Sequence, residues 1–481
     1  MSFIINFMVL FNFRELQEYS SLKEQNVHSQ MHTRRHKSSR KGFSIHTSLL
    51  CLILSGSILT LFGILYLDNI PWHIGTLAID KLAVNFGYHK PVYAVVIDAG
   101  STGSRVLAFT FHESYIGSHL VLDKELFKYN KEGLSSFAEN PEDGAKSIES
   151  LLEEAKNEIP QKHWTNTSLL LKATAGLRLL PTDKAEKLLH SVRNLFKKVP
   201  FLTRKDSVEI MDGTDEGIYS WFTVNFLLGR INGNPANTVA ALDLGGGSTQ
   251  VTFAALAPSS LKHRDRIHLA SSPTGNIPVY THSFLGLGLK AARKAILTYG
   301  QDNTSNITSE CVNHIINGHK FKYGSEVYYV SGPQWNYLTM VDESVGYLTS
   351  SEVPIVNMDK CLPIIKSFIQ NNSKPPEELP NKIIFAFSYY FDKAAEAGLI
   401  DPYTGGRIEL EDFKNAATEA CRTPNTEQPF LCLDLSFIWI LLQDGLGLQL
   451  KTPINLFKKI NGHEISWALG AAYDLLKQRK F

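Results

Sequence analysis

Tyr93-Ala-Val-Val-Ile-Asp-Ala-Gly-Ser-Thr-Gly-Ser-Arg-Val-Leu-Ala-Phe109 reads as a strand, a tight turn and a second strand. The β-branched run Val95 to Ile97 ends on Asp98. Small residues from Gly100 to Ser104 make the turn, and Val106 to Phe109 carry the chain away. Gly100 and Gly103 let the backbone approach an anion closely, and the turn's N–H groups and hydroxyls can cradle a phosphate. Asp98, at the strand end, is placed to hold a metal or its water. One Asp-x-Gly turn is also what an ordinary hairpin looks like.

The stretch recurs. Ala241-Leu-Asp-Leu-Gly-Gly-Gly-Ser-Thr-Gln-Val-Thr-Phe253 lies over the first copy without a gap. Asp243 falls on Asp98, Gly245 on Gly100, Thr249 on Ser104 and Val251 on Val106. Two matched copies about 145 residues apart point to an internal duplication and so to two similar lobes. Two such loops facing each other would clamp phosphates and one cation.

Between the copies, Ser168 to Leu180 reads as a strand running into a small-residue turn at Thr174, Ala175 and Gly176, with a helix opened by Pro181. Thr174 is a candidate to point its hydroxyl at the cleft. Asp212-Gly-Thr-Asp-Glu-Gly opens a helix that ends near Gly229 and is apolar almost all round, which predicts burial between layers. Its acids can simply complement the helix dipole. Glu216 can also serve as a general base, a carboxylate on a rigid helix end facing the phosphate loops.

Length and charge bound the rest. A chain of 481 residues with 43% apolar residues holds about two domains with full cores. A net charge of +1 gives no sign of nucleic-acid binding. Residues 1–48 read as a cytoplasmic tail with the basic cluster Arg34, Arg35, Lys37, Arg40 and Lys41. Residues 49–67 are free of Asp, Glu, Lys and Arg and would span about 28 Å as a helix. They lie too deep in the chain for a signal peptide, so an uncleaved anchor is expected, with its basic side in the cytoplasm. Met31 is an alternative start. Residues 68–90 read as a stem, which could be cleaved to release residues 91–481 into a lumen or outside the cell. Four sequons, at Asn166, Asn303, Asn306 and Asn371, fit that compartment. So do Cys311, Cys361, Cys421 and Cys432, an even number without CxxC spacing, which allows three disulfide pairings.

Five segments, in order, resemble the apyrases, the nucleoside triphosphate diphosphohydrolase family. They are Asp98 to Arg105, Lys172 to Arg178, Asp212 to Asn225, Asp243 to Gln250, and Phe385 to Asp392 with the late Trp467-Ala-Leu-Gly470. Asp212-Gly-Thr-Asp-Glu-Gly and Phe387-Ser-Tyr-Tyr390 are most similar to the single-anchor or secreted branch that prefers nucleoside diphosphates. The resemblance implies an α/β fold of two ribonuclease-H-like lobes, as in actin and Hsp70, with the active site in the cleft between them. Lobe I would take 91–212 and 464–481, and lobe II 213–463.

The resemblance also implies roles. Glu216 matches the base, and Ser248 and Gln250 the residues that place the attacking water. Asp98 and Asp243 match the acids that hold Ca2+ or Mg2+ through its water shell. The phosphate set is Ser101, Thr102, Gly103, Ser104, Arg105, Thr174, Ala175, Gly245, Gly246, Gly247 and Ser248. Gly103 departs from the cell-surface branch, which usually has a His there. Tyr389, Tyr390 and Phe430 are candidates to stack on the nucleobase, with core packing as the plain alternative. The implied disulfides are Cys311–Cys361 and Cys421–Cys432. His282, in a segment with two glycines, reads as structural.

These expectations add up to a cation-dependent hydrolase that takes the terminal phosphate from UDP or GDP, and less readily from triphosphates. It would be a Golgi or ER type II membrane protein with a monomeric catalytic part. No Walker lysine is present. The alternatives are another phosphotransferase or exopolyphosphatase of the same fold, or a non-catalytic nucleotide binder.

Overall fold

The computed structural model describes residues 52–60, 83 and 90–478, without 115–118, 232–233, 258–263, 274, 303, 335–336 and 342–349; for 337–341 and 350–354 it describes the backbone alone. Residues 1–75 and 76–481 are separate units. In the first, 52–60 are helical and Leu52, Ile53, Leu54, Ile58 and Leu59 are exposed. The rest of the anchor, the basic tail and nearly all of the stem lie outside the described residues. Among the described residues, no helix is long and apolar enough to cross a membrane.

The second unit is an α/β structure built on two mixed sheets. The first sheet contains β1 (Val92–Ala99), β2 (Ser104–Glu113), β3 (Leu120–Asn130), β4 (Ser168–Ala173) and β5 (Val208–Ile210), in the order β3-β2-β1-β4-β5. β1, β2 and β3 are antiparallel neighbours, whereas β4 and β5 run parallel to β1. The second sheet starts with β6 (Ala240–Leu244), β7 (Ser248–Ala254), β8 (Ile267–Ser272) and β9 (Gly275–Leu285). It is completed by β10 (Ile384–Ser388), β11 (Gly406–Glu409) and β12 (Pro453–Leu456). Its inner five strands read β9-β7-β6-β10-β12, with the same pattern of antiparallel and parallel neighbours; β8 and β11 extend the edges. The duplication read in two loops therefore extends to strand order.

Both faces of β1 are covered, so its residues are apolar without alternation. Val95, Ile97 and Ala99 face α1 (Pro141–Glu158) and α3 (Thr182–Phe196). Between β4 and α3 lies one helical turn, α2 (Ala175–Arg178). Ala94 and Val96 face the opposite way, toward α4 (Gly213–Leu227). The far face of the second sheet is covered by α5 (Leu289–Leu297), α6 (Met358–Asn372), α7 (Tyr389–Glu396), α8 (Leu410–Arg422) and α9 (Leu431–Ile440). Cys311–Cys361 ties a loop to α6, and Cys421–Cys432 ties α8 to α9. The last helix, α10 (Trp467–Gln478), packs beside α4 in the core that also takes Ala241, Ala254 and Val279 of the second sheet. α4 and α10 form the shared layer between the sheets, which is why α4 has no polar face.

The close approach of α4 and α10 rests on Gly470. A Cβ there would lie 2.6 Å from the Tyr219 carbonyl oxygen and 2.8 Å from Tyr219 Cα, and backbone cannot rotate away. Alanine gains about 0.5–1 kcal/mol of helix propensity, but overpacking costs about 1–3 kcal/mol, so the clash wins. Gly470→Ala is expected to lower the thermal unfolding midpoint; an unchanged or raised midpoint would refute this packing account.

Glu125 on β3 closes the same layer from the side. Its Oε1 accepts from Glu464 N at 3.0 Å. Burial, with Glu464 nearby, pushes the Glu125 carboxyl up to about 7 from an ordinary 4.5. A raised value favours the neutral acid in the fold, so this stability is full below 4.5 and is lost as pH rises through about 7. Glu125→Gln is therefore expected to stabilise the protein by about 1–3 kcal/mol at pH 8 and to do little at pH 4. Denaturant unfolding at the two pH values checks this, and an equal effect at both would overturn it.

Candidate active site

The two glycine turns are built alike. Gly100 N donates to Gly103 O at 3.0 Å, and Gly245 N to Ser248 O at 2.9 Å. Asp98 pairs with Arg105 across the first hairpin, and Asp243 with Gln250 across the second. The turns meet tip to tip. A Cβ on Gly246 would fall 2.4 Å from both Ser101 Oγ and Thr102 Cγ2, so a side chain there would wedge the two loops apart.

A cavity of about 380 Å³ opens at this junction, within the range of small-molecule sites. From the first lobe it is lined by Asp98, Ser101, Thr102, Gly103, Arg105 and Thr174. From the far side come Glu216, Asp243, Gly245, Gly246 and Tyr389. Ser104, Ala175, Ser248 and Gln250 are buried behind this lining. Gly247 packs there too, since a Cβ on it would lie 2.9 Å from Ala175 Cβ.

Three acids converge. Asp212 caps α4 by accepting from Thr214 N at 2.7 Å, which fixes the helix start and places Glu216 one turn in. Burial pushes the Glu216 carboxyl up to about 8; the Arg178 guanidinium opposes this, and the negative charges of Asp243 and Asp98 add to it. Asp243 is pushed up to about 6, by burial first, against a hydrogen bond from Ser388. Asp98 is also raised by burial, and Arg105 and the Trp467 indole pull it back. Arg105 Nη1 donates to Asp98 Oδ2 at 2.9 Å, whereas Asp98 Oδ1 is buried and, among the described residues, has no donor within hydrogen-bond distance.

Behind Glu216 is a polar network. Gln250 Nε2 lies 3.0 Å from Glu216 Oε2, 2.7 Å from Ser248 Oγ and 3.0 Å from Ser283 Oγ. Arg178 donates to the same Glu216 oxygen. Gln250 Oε1 is buried, and among the described residues nothing donates to it.

Residues 88–481 match the GDA1/CD39 (nucleoside phosphatase) family. The chain belongs to that family. It is a hydrolase. It is 41% identical over 396 residues to nucleoside diphosphate phosphatase ENTPD5 of Homo sapiens, covering 80% of this chain and 88% of the relative. It is 40% identical over 427 residues to ectonucleoside triphosphate diphosphohydrolase 5 of Ailuropoda melanoleuca, covering 85% and 93%. Identity to ectonucleoside triphosphate diphosphohydrolase 6 of Mus musculus is 39% over 404 residues, covering 82% and 84%. A nucleoside triphosphate hydrolase structure from Neospora caninum shares the fold at a TM-score of 0.54 and 15% identity, covering 85% of this chain and 97% of that one.

The three nucleobase candidates of this GDA1/CD39 chain lie in three different surroundings. Tyr390 is fully buried in the core of the second lobe, because the first turn of α7 points it under the sheet, so it cannot stack on a base. Phe430 does not line the cavity of the two loops. It lies in a second cavity, stacked edge-on to Phe321 and under the Arg293 guanidinium at 4.8 Å. Tyr389 alone of the three reaches the main cavity. His282 lies edge-on to Phe284, and burial pushes its imidazole down to about 4, so it stays neutral. Asn166, Asn306 and Asn371 are exposed, and Asn303 lies outside the described residues.

Arg178, Ser283, Ser388 and Trp467 join the site without a local signal in the sequence that marks them for it. Arg178, Ser388 and Trp467 sit inside the family-like motifs, so their positions were visible but their partners were not. Ser388 holds φ 58° at the end of β10, a conformation that costs a non-glycine residue about 1–3 kcal/mol and that clusters at functional sites. It turns the chain into α7 while hydrogen bonding to Asp243.

Proposed function

We propose that this protein hydrolyses nucleoside diphosphates, with UDP and GDP preferred over triphosphates, to the monophosphate and phosphate. The observation that carries the reading is the convergence of two phosphate-type turns, each with one acid, on a cavity that also holds Glu216. Water held by Ser248 and Gln250 attacks the terminal phosphorus in line, Glu216 takes its proton, and the bond to the bridging oxygen breaks. N–H groups and hydroxyls of the two turns stabilise the charge on the terminal phosphate oxygens. Asp98 and Asp243 fit a divalent cation: they are two buried acids on facing loops, and among the described residues Asp98 Oδ1 has no donor within hydrogen-bond distance. Ca2+ or Mg2+ there would neutralise phosphate charge and offset the two acids that disfavour ionised Glu216. Tyr389 is the aromatic offered to the base. The actin/Hsp70-like assignment of the lobes is supported by their common strand order.

Phosphate release from a panel of nucleotides tests this. Nucleoside diphosphates should yield monophosphate and free phosphate in the presence of Ca2+ or Mg2+. No release from any diphosphate, or transfer to a hydroxyl acceptor instead of water, would overturn it.

We also infer that the catalytic part lies in the secretory lumen, Golgi or ER, behind a type II anchor over 49–67. The basic flank, the uncharged stretch, the sequons and the two disulfides support this. There the enzyme would clear diphosphates left by sugar transfer. In sealed membrane vesicles residues 91–481 should resist protease and shift with glycosidase; digestion without a glycan shift would refute the topology.

A further inference from the structure

Glu216 is held from the facing lobe. Arg178, the last residue of α2, donates from Nη2 to Glu216 Oε2, and its Nη1 lies 3.4 Å from Ser283 Oγ. Gln250 Nε2 reaches the same Oε2. Gly213 makes the room: a Cβ there would lie 2.6 Å from Arg178 Nη1 and 2.4 Å from Ser283 Cβ. The ion pair is buried, with side-chain exposures of 15% and 9%. It is therefore unlike surface pairs of little consequence, and losing either partner strands a buried charge. α2 begins at Ala175, directly after Thr174, so one helical turn links the phosphate wall to this contact.

We propose that Arg178 is the positioning residue of the Glu216 base. It occupies Oε2 together with Gln250, leaves Oε1 to receive the proton of the attacking water, and ties the base to the turn that meets the phosphate. The proposal rests on the assignment of Glu216 as the base. Among the described residues, the charged groups that weigh most on Glu216 are Arg178 from α2, Asp243 from β6 and Asp98 from β1, and of these Arg178 is positive. Without it, burial and two like charges all favour the neutral acid, which cannot accept a proton.

The test is a pH profile of phosphate release from UDP or GDP at saturating cation, measured first on the full wild-type chain. Failure of the hydrolase reading shows there, and failure of the Arg178 assignment shows only in variants. Arg178→Met should lower kcat about 30-fold or more at pH 7 with KM within about threefold, a loss on the scale of base catalysis. The acid limb should move up by about one pH unit or more, so that the deficit narrows at high pH. Arg178→Lys keeps the charge but not the fork, and should recover part of both. In the double variant Arg178→Met/Glu216→Gln the rate should be no lower than in Glu216→Gln alone. An unmoved acid limb, or a double variant slower by the full Arg178 factor, would overturn the proposal and place Arg178 on the phosphate instead. If Arg178→Met does not unfold cooperatively, Arg178→Lys decides: its acid limb should be raised, and an unmoved limb overturns the assignment.

Discussion

Glu216→Gln is expected to lower the hydrolysis rate by about 10²-fold or more while leaving the fold and nucleotide binding near wild type. The amide keeps the shape of the carboxyl but cannot take a proton. Its effect on the helix dipole alone is only a few tenths of a kcal/mol. The buried Arg178 loses its counter-charge in this variant, so thermal stability is measured alongside. A variant that folds and still hydrolyses UDP and GDP within a few-fold of wild type at saturating cation removes Glu216 from the mechanism. The buried network then offers no substitute, because Gln250 is an amide and Ser248 a hydroxyl.

The duplicated turn was legible because glycine and a strand-end acid leave a local signature. The identical registers, Asp98 to Arg105 and Asp243 to Gln250, follow from the gapless overlay. The anion loops, the acids at their bases and the capped helix start at Asp212 are all local features, and local features can be read in order along the chain. What could not be read is contact between distant segments. Arg178 and Glu216 are 38 residues apart, and Arg178 and Ser283 105 apart, and nothing in either segment announces its partner. Ser388 was hidden differently. Its motif stands out by its aromatic rings, whereas Ser388 is distinguished by its backbone conformation and its hydrogen bond to Asp243. Tyr390 and Phe430 show the limit of composition: an aromatic next to a site in sequence can be turned into a core by a single helical step, or can face a neighbouring cavity.

Asp98→Asn and Asp243→Asn should fail in a way that Glu216→Gln does not. On the proposed mechanism each removes one of the two negative charges that hold the cation, so the cation needed for half-maximal rate should rise by about tenfold or more, and the rate at any fixed cation level should fall. Chelation should silence the wild type as well. Stability supplies an independent readout with a sign that reverses. Burial raises Asp243 from 3.8 to about 6, so its contribution is full below 3.8 and is lost as pH rises through about 6. Above that, an ionised Asp243 costs the cation-free fold up to about 3 kcal/mol, and Asp243→Asn removes the cost. With chelator at pH 7.5 the variant should therefore melt above the wild type. Added Ca2+ or Mg2+ should raise the wild type by about 2.7 kcal/mol at a hundred times its dissociation constant, and the variant by about half as much for a tenfold loss of affinity. The gap between the two melting points seen with chelator should therefore narrow when cation is added. An Asp243→Asn protein that gains as much from Ca2+ as the wild type and hydrolyses at a similar rate would mean that these two acids are not where the cation is held.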